Sequence, residues 1–363
     1  MKAAIRGAHR WVGLALALLW MTQALSGVLL VFGREMEEWT VPGPVRPLQP
    51  QAFGEGLAAI EAARPGQEVR YVMAQGGARD RFDVLLSAGD GLDYVRADGE
   101  GRTLQSRPYD YGFPGPGLFL TMLALHQTLF SGSTGLFLVG LSGVLLLVSI
   151  GLGLNLAWPA RGRWRRTMSF PPGKTRLSGL HGFHRALGLW FAAPALIVAF
   201  AGTLIALGDP LKEATKSYVA APAPRELSGL PSTVGPGQAI ATALRRFPDA
   251  ALSIVEMPDA EDRFYKIRLL QPGEPRRIFG TTVVFVDAGD GRVLKVHDAL
   301  KSPVGITFFD ALYPVHTGEF IGLAGRVISL LTGLWLATMI GFGVALWLTR
   351  RAMSRRAAVQ KAA

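Results

Sequence analysis

The chain has 363 residues, of which 49% are hydrophobic, and its formal net charge is +11. This composition is typical of a membrane protein with sizeable polar parts. The absence of cysteine excludes disulfides, iron–sulfur clusters, zinc–thiolate sites and covalently attached c-type haem. A basic chain can indicate a nucleic-acid partner, but here the basic residues flank apolar segments instead of lining one soluble face, so no nucleic acid is expected.

The first half of the chain alternates apolar and polar segments. Residues 1–32 are predicted to form the first transmembrane helix, because a bilayer needs about 20 apolar residues. Residues 33–117 leave the membrane, and a short helix at 51–63 followed by strand-like runs predicts an α+β domain. Residues 118–158 are predicted to form a helix outside the membrane, on the side of the α+β domain, and then the second transmembrane helix. Residues 159–180 then form a basic loop.

The second half repeats this plan. Residues 181–207 are predicted to form the third transmembrane helix, and residues 208–310 form a second α+β domain. Residues 311–349 lead into and form the fourth transmembrane helix, and residues 350–363 are a basic tail. The sequence therefore predicts a membrane α-helical bundle of four transmembrane helices with two extramembrane α+β domains.

An internal repeat relates the two halves of the chain. Such a repeat must be recognised first, because missing it leads to the wrong fold assignment. His9-Arg-x-x-Gly-Leu matches His184-Arg-x-x-Gly-Leu, and Gly27 matches Gly202 at the same offset. Glycines also follow two further histidines at five identical offsets without a gap. These are Gly132, Gly135, Gly143, Gly151 and Gly153 after His126, and Gly322, Gly325, Gly333, Gly341 and Gly343 after His316.

The positive charges predict the orientation. Three segments without Asp or Glu, residues 1–10, 158–180 and 350–363, hold 14 Lys and Arg residues. The positive-inside rule places all three in the cytoplasm, and therefore both α+β domains in the periplasm. The two repeats then run parallel about an axis along the membrane normal.

Three motifs resemble those of PepSY-associated transmembrane proteins. The stretch Val284–Leu294, which contains Asp-Ala-Gly-Asp-Gly, is similar to the strand–turn signature of PepSY domains. The segment Pro314-Val-His316-Thr-Gly resembles the Pro-Leu-His-x-Gly motif of that family. The His-Arg-x-x-Gly-Leu segments at His9 and His184 resemble the family as well.

The resemblance covers nearly the whole chain, and it implies that both periplasmic domains are PepSY-like. Val315 stands where the family usually has Leu, and Gln127 stands where Arg often follows the histidine, but neither change affects a metal ligand. The family includes ferric-siderophore reductases of the ferrioxamine reductase type, which lie in the bacterial inner membrane and carry two b-type haems. The resemblance therefore implies this location and this activity.

The parallel repeat gives an independent reason to expect haem. Equivalent residues face each other at equal depth, so His9 would face His184 at the cytoplasmic edge and His126 would face His316 at the periplasmic edge. Two facing imidazoles are what a haem iron with two axial histidines requires. An isolated histidine would be explained equally well as a solvated or hydrogen-bonded residue. The sequence thus predicts two non-covalent b-type haems.

Other residues near these pairs have predicted roles. Arg10 and Arg185 each follow a ligand and could neutralise haem propionates. His181 lies one helical turn before His184, so it could replace that residue as ligand or support the site. The repeated glycines are expected to make room for a flat macrocycle, although close helix packing would also explain them.

These predictions describe an oxidoreductase that reduces ferric siderophores in the periplasm, with no catalytic residue beyond the haem ligands. Iron with two axial histidines has no open position for substrate, so reduction would be outer-sphere. Oxygen-rich siderophores hold ferric iron more tightly than ferrous iron, so one electron loosens the metal. The expected partners are the ferric siderophore, the lipid bilayer and an electron donor, either a quinol or a cytosolic flavin reductase.

Two alternatives remain open. The chain could be a non-catalytic PepSY sensor or inhibitor tethered to the membrane, or an accessory subunit of a transporter. It could also be a quinol-linked b-type cytochrome that feeds another enzyme. The sequence contains no Gly-rich phosphate loop, nucleophile elbow or H-E-x-x-H motif, so dinucleotide binding, hydrolysis and metalloprotease activity lack support.

Overall fold

A computed structural model of the protein describes residues 1–77, 79–88, 91–108, 117–170, 175–223, 227 and 230–362. The chain divides into two compact units. The first, called here the helical unit, consists of residues 1–31, 122–210 and 315–363. The second, called the sheet unit, consists of residues 32–121 and 211–314.

Most of the helices belong to the helical unit. In chain order the helices are α1 (Lys2–Ala15), α2 (Ala17–Leu30), α3 (Gly33–Glu38), α4 (Pro50–Ala62), α5 (Leu118–Thr128), α6 (Gly132–Ala157), α7 (Trp164–Met168), α8 (Arg176–Trp190), α9 (Ala192–Leu207), α10 (Asp209–Ala214), α11 (Pro236–Arg246), α12 (Val304–Thr317) and α13 (Gly322–Ala362). Short 3₁₀ turns cover Ala299–Lys301 and Glu319–Ile321. Helices α5 and α12, which carry His126 and His316, begin in the sheet unit and end in the helical unit.

Two of the predicted spans are broken. Helices α1 and α2 are bent by 63° at Leu16, and α8 and α9 are bent by 65° at Phe191, the equivalent residue of the repeat. Both residues have nearly the same backbone conformation, with φ near −100° and ψ near 5°. Pro194 in the first turn of α9 lacks an N–H and favours a helix start there. The equivalent residue of α2 is Leu19, so proline alone does not explain both bends.

The prediction of a four-helix transmembrane bundle is therefore wrong. Within the described residues, two helical stretches are long and apolar enough to cross a membrane alone, Gly132–Ala157 and Glu319–Lys361. The number rises to four only if each bent pair counts as one span. Hydropathy predicted one continuous span in each of residues 1–32 and 181–207, but hydropathy does not reveal a bend.

The sheet unit is built on eight antiparallel strands in the order β4-β3-β2-β1-β5-β6-β7-β8. The strands are β1 (Val69–Ala74), β2 (Arg81–Ala88), β3 (Gly91–Asp98), β4 (Thr103–Pro108), β5 (Ala251–Glu256), β6 (Phe264–Leu270), β7 (Thr282–Asp287) and β8 (Val293–His297). All six residues of β7 are buried, which explains its continuous apolar run. Each half of the chain contributes four consecutive strands.

The prediction of two separate α+β domains is also wrong, because the two sets of strands form one sheet. Strand β1 pairs with β5, and the pairing is centred on Val72 and Val255, which are both fully buried. Each strand is the edge of its own four-stranded set. An edge strand presents unpaired N–H and C=O groups, and pairing the two edges satisfies both.

The helices of the two halves pack together over this joined sheet. Helix α4 contacts α11, and Gly54 lies so close to Gly237 that a Cβ on Gly54 would be 2.6 Å from the Gly237 nitrogen. One hydrophobic core then joins both halves, with Phe53, Leu57 and Ile240 among its members. The sheet unit is thus a single folding core instead of two.

Ion pairs attach the short helix α3 to the sheet. Glu37 pairs with Arg96 at 3.3 Å, and Glu38 pairs with Arg81 at 2.8 Å. Arg96 is fully buried and also binds Asp83 at 2.8 Å and the hydroxyl of Tyr94. Burial raises the pKa of Tyr94 well above its ordinary value. Buried charges with good geometry and several partners hold one another in place.

Candidate functional site

The first histidine pair joins α1 and α8. The ring centres of His9 and His184 lie 6.2 Å apart, and their planes are inclined by 61°. The two residues are equivalent in the repeat and are 175 positions apart in the sequence. The fold therefore brings together two imidazoles from different halves of the chain.

The second histidine pair joins α5 and α12 near the ends of both helices. The ring centres of His126 and His316 lie 6.1 Å apart, with the planes inclined by 41°. The bend at Leu16 shortens the path between the two pairs. With about 1.5 Å of rise per residue and the 63° bend, His9 lies roughly 23 Å from Gly27, which His126 contacts. The two pairs are separate sites.

Backbone carbonyls orient three of the four rings. His9 Nδ1 donates to Ser149 O at 3.0 Å, His126 Nδ1 to Gln23 O at 3.1 Å, and His316 Nδ1 to Val198 O at 2.9 Å. A carbonyl oxygen can only accept, so the proton lies on Nδ1 and leaves Nε2 unprotonated. An imidazole held in this way is prepared to bind a metal through Nε2.

His184 differs slightly from the other three. Its Nδ1 is buried and has no hydrogen-bond partner among the described residues. A backbone carbonyl therefore orients His9, His126 and His316, and His184 is the exception.

The spacing within each pair fits an iron ion with two axial imidazoles. A first-row metal binds imidazole nitrogen at about 2.0 Å, so two axial rings have centres roughly 6.3 Å apart. The observed separations are 6.2 Å and 6.1 Å. Among the described residues, no group of three or more His, Cys, Asp or Glu side chains could hold a metal ion. Two imidazoles per site are the protein ligands that a six-coordinate haem iron takes.

Four of the repeated glycines lie next to histidine rings, and at three of them an added Cβ would crowd the ring. A Cβ on Gly27 would be 3.0 Å from His126 Cε1, and one on Gly202 would be 2.6 Å from His316 Cε1. The corresponding distances are 3.1 Å for Gly153 with His9 and 4.0 Å for Gly343 with His184. The glycines lie beside the imidazoles, because the rings of His9, His126 and His316 come close to a helix backbone to reach a carbonyl partner.

A cavity of about 700 Å³ surrounds the His9–His184 pair. Gly13 and Gly188 line it, and a Cβ on Gly13 would meet nothing within 4 Å. Trp20 and Trp335 line it as well and bind the carbonyls of Ser142 and Leu187 through their indole nitrogens. This volume is within the range of sites that bind cofactors.

The predicted auxiliary residues also line this cavity. Arg10 and Arg185 are among five lining arginines, so either can reach an anionic group bound there. His181 lines the same cavity, but the ring that faces His9 is that of His184. The structure therefore favours His184 over His181 as the partner of His9.

Sequence reasoning did not identify two serines that lie at the site. Ser26 Oγ lies 3.1 Å from His126 Nδ1, and Ser149 Oγ lies 3.2 Å from His9 Nδ1. Ser26 donates its own hydrogen to Thr22 O at 2.7 Å, so it accepts from the imidazole. Both serines are buried polar residues inside apolar runs, which was a usable signal.

Comparisons with known proteins match the sequence of this chain to one family. The sequence model described as the PepSY-associated TM region matches residues 6–350. An uncharacterized protein of Pseudomonas aeruginosa is 28% identical over 266 residues, an alignment that covers 66% of this chain. The chain spans 65% of the length of that relative.

Proposed function

The chain belongs to the family of the PepSY-associated TM region and is a membrane protein, and from this membership and the paired histidines we propose that it is a di-haem electron-transfer protein. It would hold two non-covalent b-type haems and act as a ferric-siderophore reductase. One haem would be bound by His9 and His184, and the other by His126 and His316. The substrate would be a ferric siderophore, whose iron is released as ferrous iron.

One observation carries this proposal. Two symmetry-related pairs of histidines have ring separations of 6.2 Å and 6.1 Å, and three of the four rings donate from Nδ1 to a carbonyl. A pair that served only helix packing would not need the same tautomer and the same spacing at both ends. Paired imidazoles with free Nε2 atoms are typical of axial haem ligands.

The chain's own residues supply position and environment. When bound, haem would supply one-electron redox chemistry. The carbonyls of Gln23, Val198 and Ser149 hold the rings of His126, His316 and His9. Arg10 and Arg185 line the cavity that contains His9 and would neutralise haem carboxylates there.

The orientation of the chain gives the direction of transfer. We place the protein in the bacterial inner membrane with both termini in the cytoplasm, because the basic segments 1–10, 158–180 and 350–363 flank the apolar helices. The His126–His316 pair would then lie on the periplasmic side. Electrons would enter from a quinol or a cytosolic flavin reductase near His9 and His184 and leave near His126 and His316.

The experiment that tests this proposal is an anaerobic absorption spectrum with haem quantified per chain. The proposal predicts two low-spin haems that acidified organic solvent extracts, since no cysteine can form a thioether. Adding a ferric hydroxamate siderophore to the dithionite-reduced protein should then oxidise it. A colourless protein after haem-replete expression would favour a sensor or transporter subunit. A coloured protein that ferric chelates leave reduced would favour a quinol-linked cytochrome.

A further inference from the structure

The position of His181 is not explained by haem ligation. The charges that act on its imidazole are three guanidinium groups, those of Arg185, Arg350 and Arg6. They come from α8, α13 and α1, and all three arginines line the same cavity as His181. Basic residues that only satisfy the positive-inside rule need not converge in this way.

The surroundings of these cations lack a counter-charge. Five arginines line the cavity, and among its described lining residues there is no Asp or Glu. The Nε atom of Arg185 is buried without a hydrogen-bond partner. Unpaired polar atoms in a partly buried site cost free energy, and an anion bound there would remove that cost.

We propose that Arg6, Arg350 and His181 bind the phosphate group of a ligand in this cavity. A haem brings only two carboxylates, whereas five arginines line the cavity, so three positive charges are left over. Guanidinium groups bind phosphate oxygens through paired charge-assisted hydrogen bonds. The phosphate could belong to a soluble ester or to a phospholipid headgroup, and the experiment below distinguishes these sources.

This site goes beyond the proposed function, because protein cations define it whether or not haem is bound. If the phosphate belongs to a soluble ester, the site suits a phosphorylated electron donor such as a flavin mononucleotide. A neutral quinol would gain no affinity from the arginines. The inference therefore separates two donor classes that the sequence left open.

The test compares flavin mononucleotide with riboflavin, which differs from it by the absence of the phosphate. The probes are titrated into the full chain, loaded with haem, in phosphatidylcholine nanodiscs, and binding is followed by flavin fluorescence. We expect flavin mononucleotide to bind at least about tenfold more tightly, as one charge-assisted hydrogen bond would give. The variant Arg6→Gln/Arg350→Gln should lose this preference.

A matched control removes the same amount of positive charge from the basic tail, residues 350–363. Arg355 and Arg356 do not line the cavity, so Arg355→Gln/Arg356→Gln should keep the preference for flavin mononucleotide. The Soret absorbance of each sample gives its haem content. Loss of phosphate binding, seen by flavin fluorescence, can thus be distinguished from loss of haem, seen by Soret absorbance.

The lipid source has its own outcome. If flavin mononucleotide does not bind, phosphatidylglycerol carried through purification is measured instead. Its retention by the wild type and the control, with loss from Arg6→Gln/Arg350→Gln, would identify a headgroup site and support the proposal. If neither the binding of flavin mononucleotide nor the retention of phosphatidylglycerol depends on Arg6 and Arg350, the proposal is overturned. That result is expected if the haem carboxylates already neutralise the arginines.

Discussion

The ring of His316 lies against Gly202, and a Cβ added to that glycine would be 2.6 Å from His316 Cε1. The same relationship recurs between His126 and Gly27, where the distance is 3.0 Å. Each glycine lies on the helix whose carbonyl accepts from the histidine. The small residue and the orientation of the ring are therefore one structural feature.

The glycines should differ in their tolerance of alanine. Gly202→Ala should displace the His316 ring and weaken or abolish one haem, because a contact of 2.6 Å forces something to move. Gly343→Ala is the matched control, since its Cβ would be 4.0 Å from His184 Cε1, an ordinary contact. Haem per chain, measured by the pyridine haemochrome method, checks both. Equal loss in the two variants would contradict the role assigned to the glycines.

Substituting the histidines should separate the two sites. His126→Ala or His316→Ala should leave one haem and abolish oxidation of the remaining reduced haem by a ferric siderophore. His9→Ala should also leave one haem but spare that oxidation when dithionite supplies electrons, because the His126–His316 pair is intact. Stopped-flow spectra after chelate addition give the readout. Retention of two haems by all of these variants would mean that the pairs are not ligands.

His181→Ala should retain both haems, because His184 is the ring that faces His9. His184→Ala serves as the comparison and should lose the haem next to the arginine-lined cavity. Haem quantification together with low-temperature electron paramagnetic resonance would show which ligand set changes. The reverse result would mean that His181, one helical turn earlier in α8, is the ligand instead of His184.

Ser26→Ala should raise the reduction potential of the haem held by His126. The serine oxygen accepts from Nδ1–H at 3.1 Å, which makes the imidazole a stronger donor and favours ferric iron. We expect a several-fold change in the ratio of ferrous to ferric haem at fixed potential, where tenfold corresponds to about 59 mV. Among the described residues the buried hydroxyl of Ser142 bonds only to Val139 O, so Ser142→Ala should leave both potentials unchanged. Spectroelectrochemical titration compares the two variants.

Arg96→Met should destabilise the sheet unit strongly. The substitution leaves Asp83 and Glu37 without their buried cation, and breaking such a pair typically costs about 3–5 kcal/mol. Arg102→Met removes a half-exposed pair with Glu100 and should cost less than about 1 kcal/mol. Guanidinium-induced unfolding followed by near-ultraviolet circular dichroism measures the difference. Similar midpoints for both variants would contradict the importance of the buried network.

Local patterns in the sequence determined much of this protein. The alternation in Phe264–Leu270 and the helical pattern near Gly237 predicted elements that the structure contains within one or two residues. Equal spacing along the sequence was enough to show that His184 is equivalent to His9 and that His316 is equivalent to His126. Such features depend on neighbours within a few positions, or on one symmetry that relates whole segments.

Contacts between distant segments decided the rest. Pairing of Val72 with Val255 makes one sheet from two, and nothing local in either strand shows that its edge will be covered by the other. The bends at Leu16 and Phe191 lack a shared sequence signal. The glycine under each histidine and the hydroxyl of Ser26 acquire their roles only where helices from different parts of the chain meet. Side-chain packing between such helices is a property of the tertiary structure, since spacing along one helix does not specify what lies opposite it.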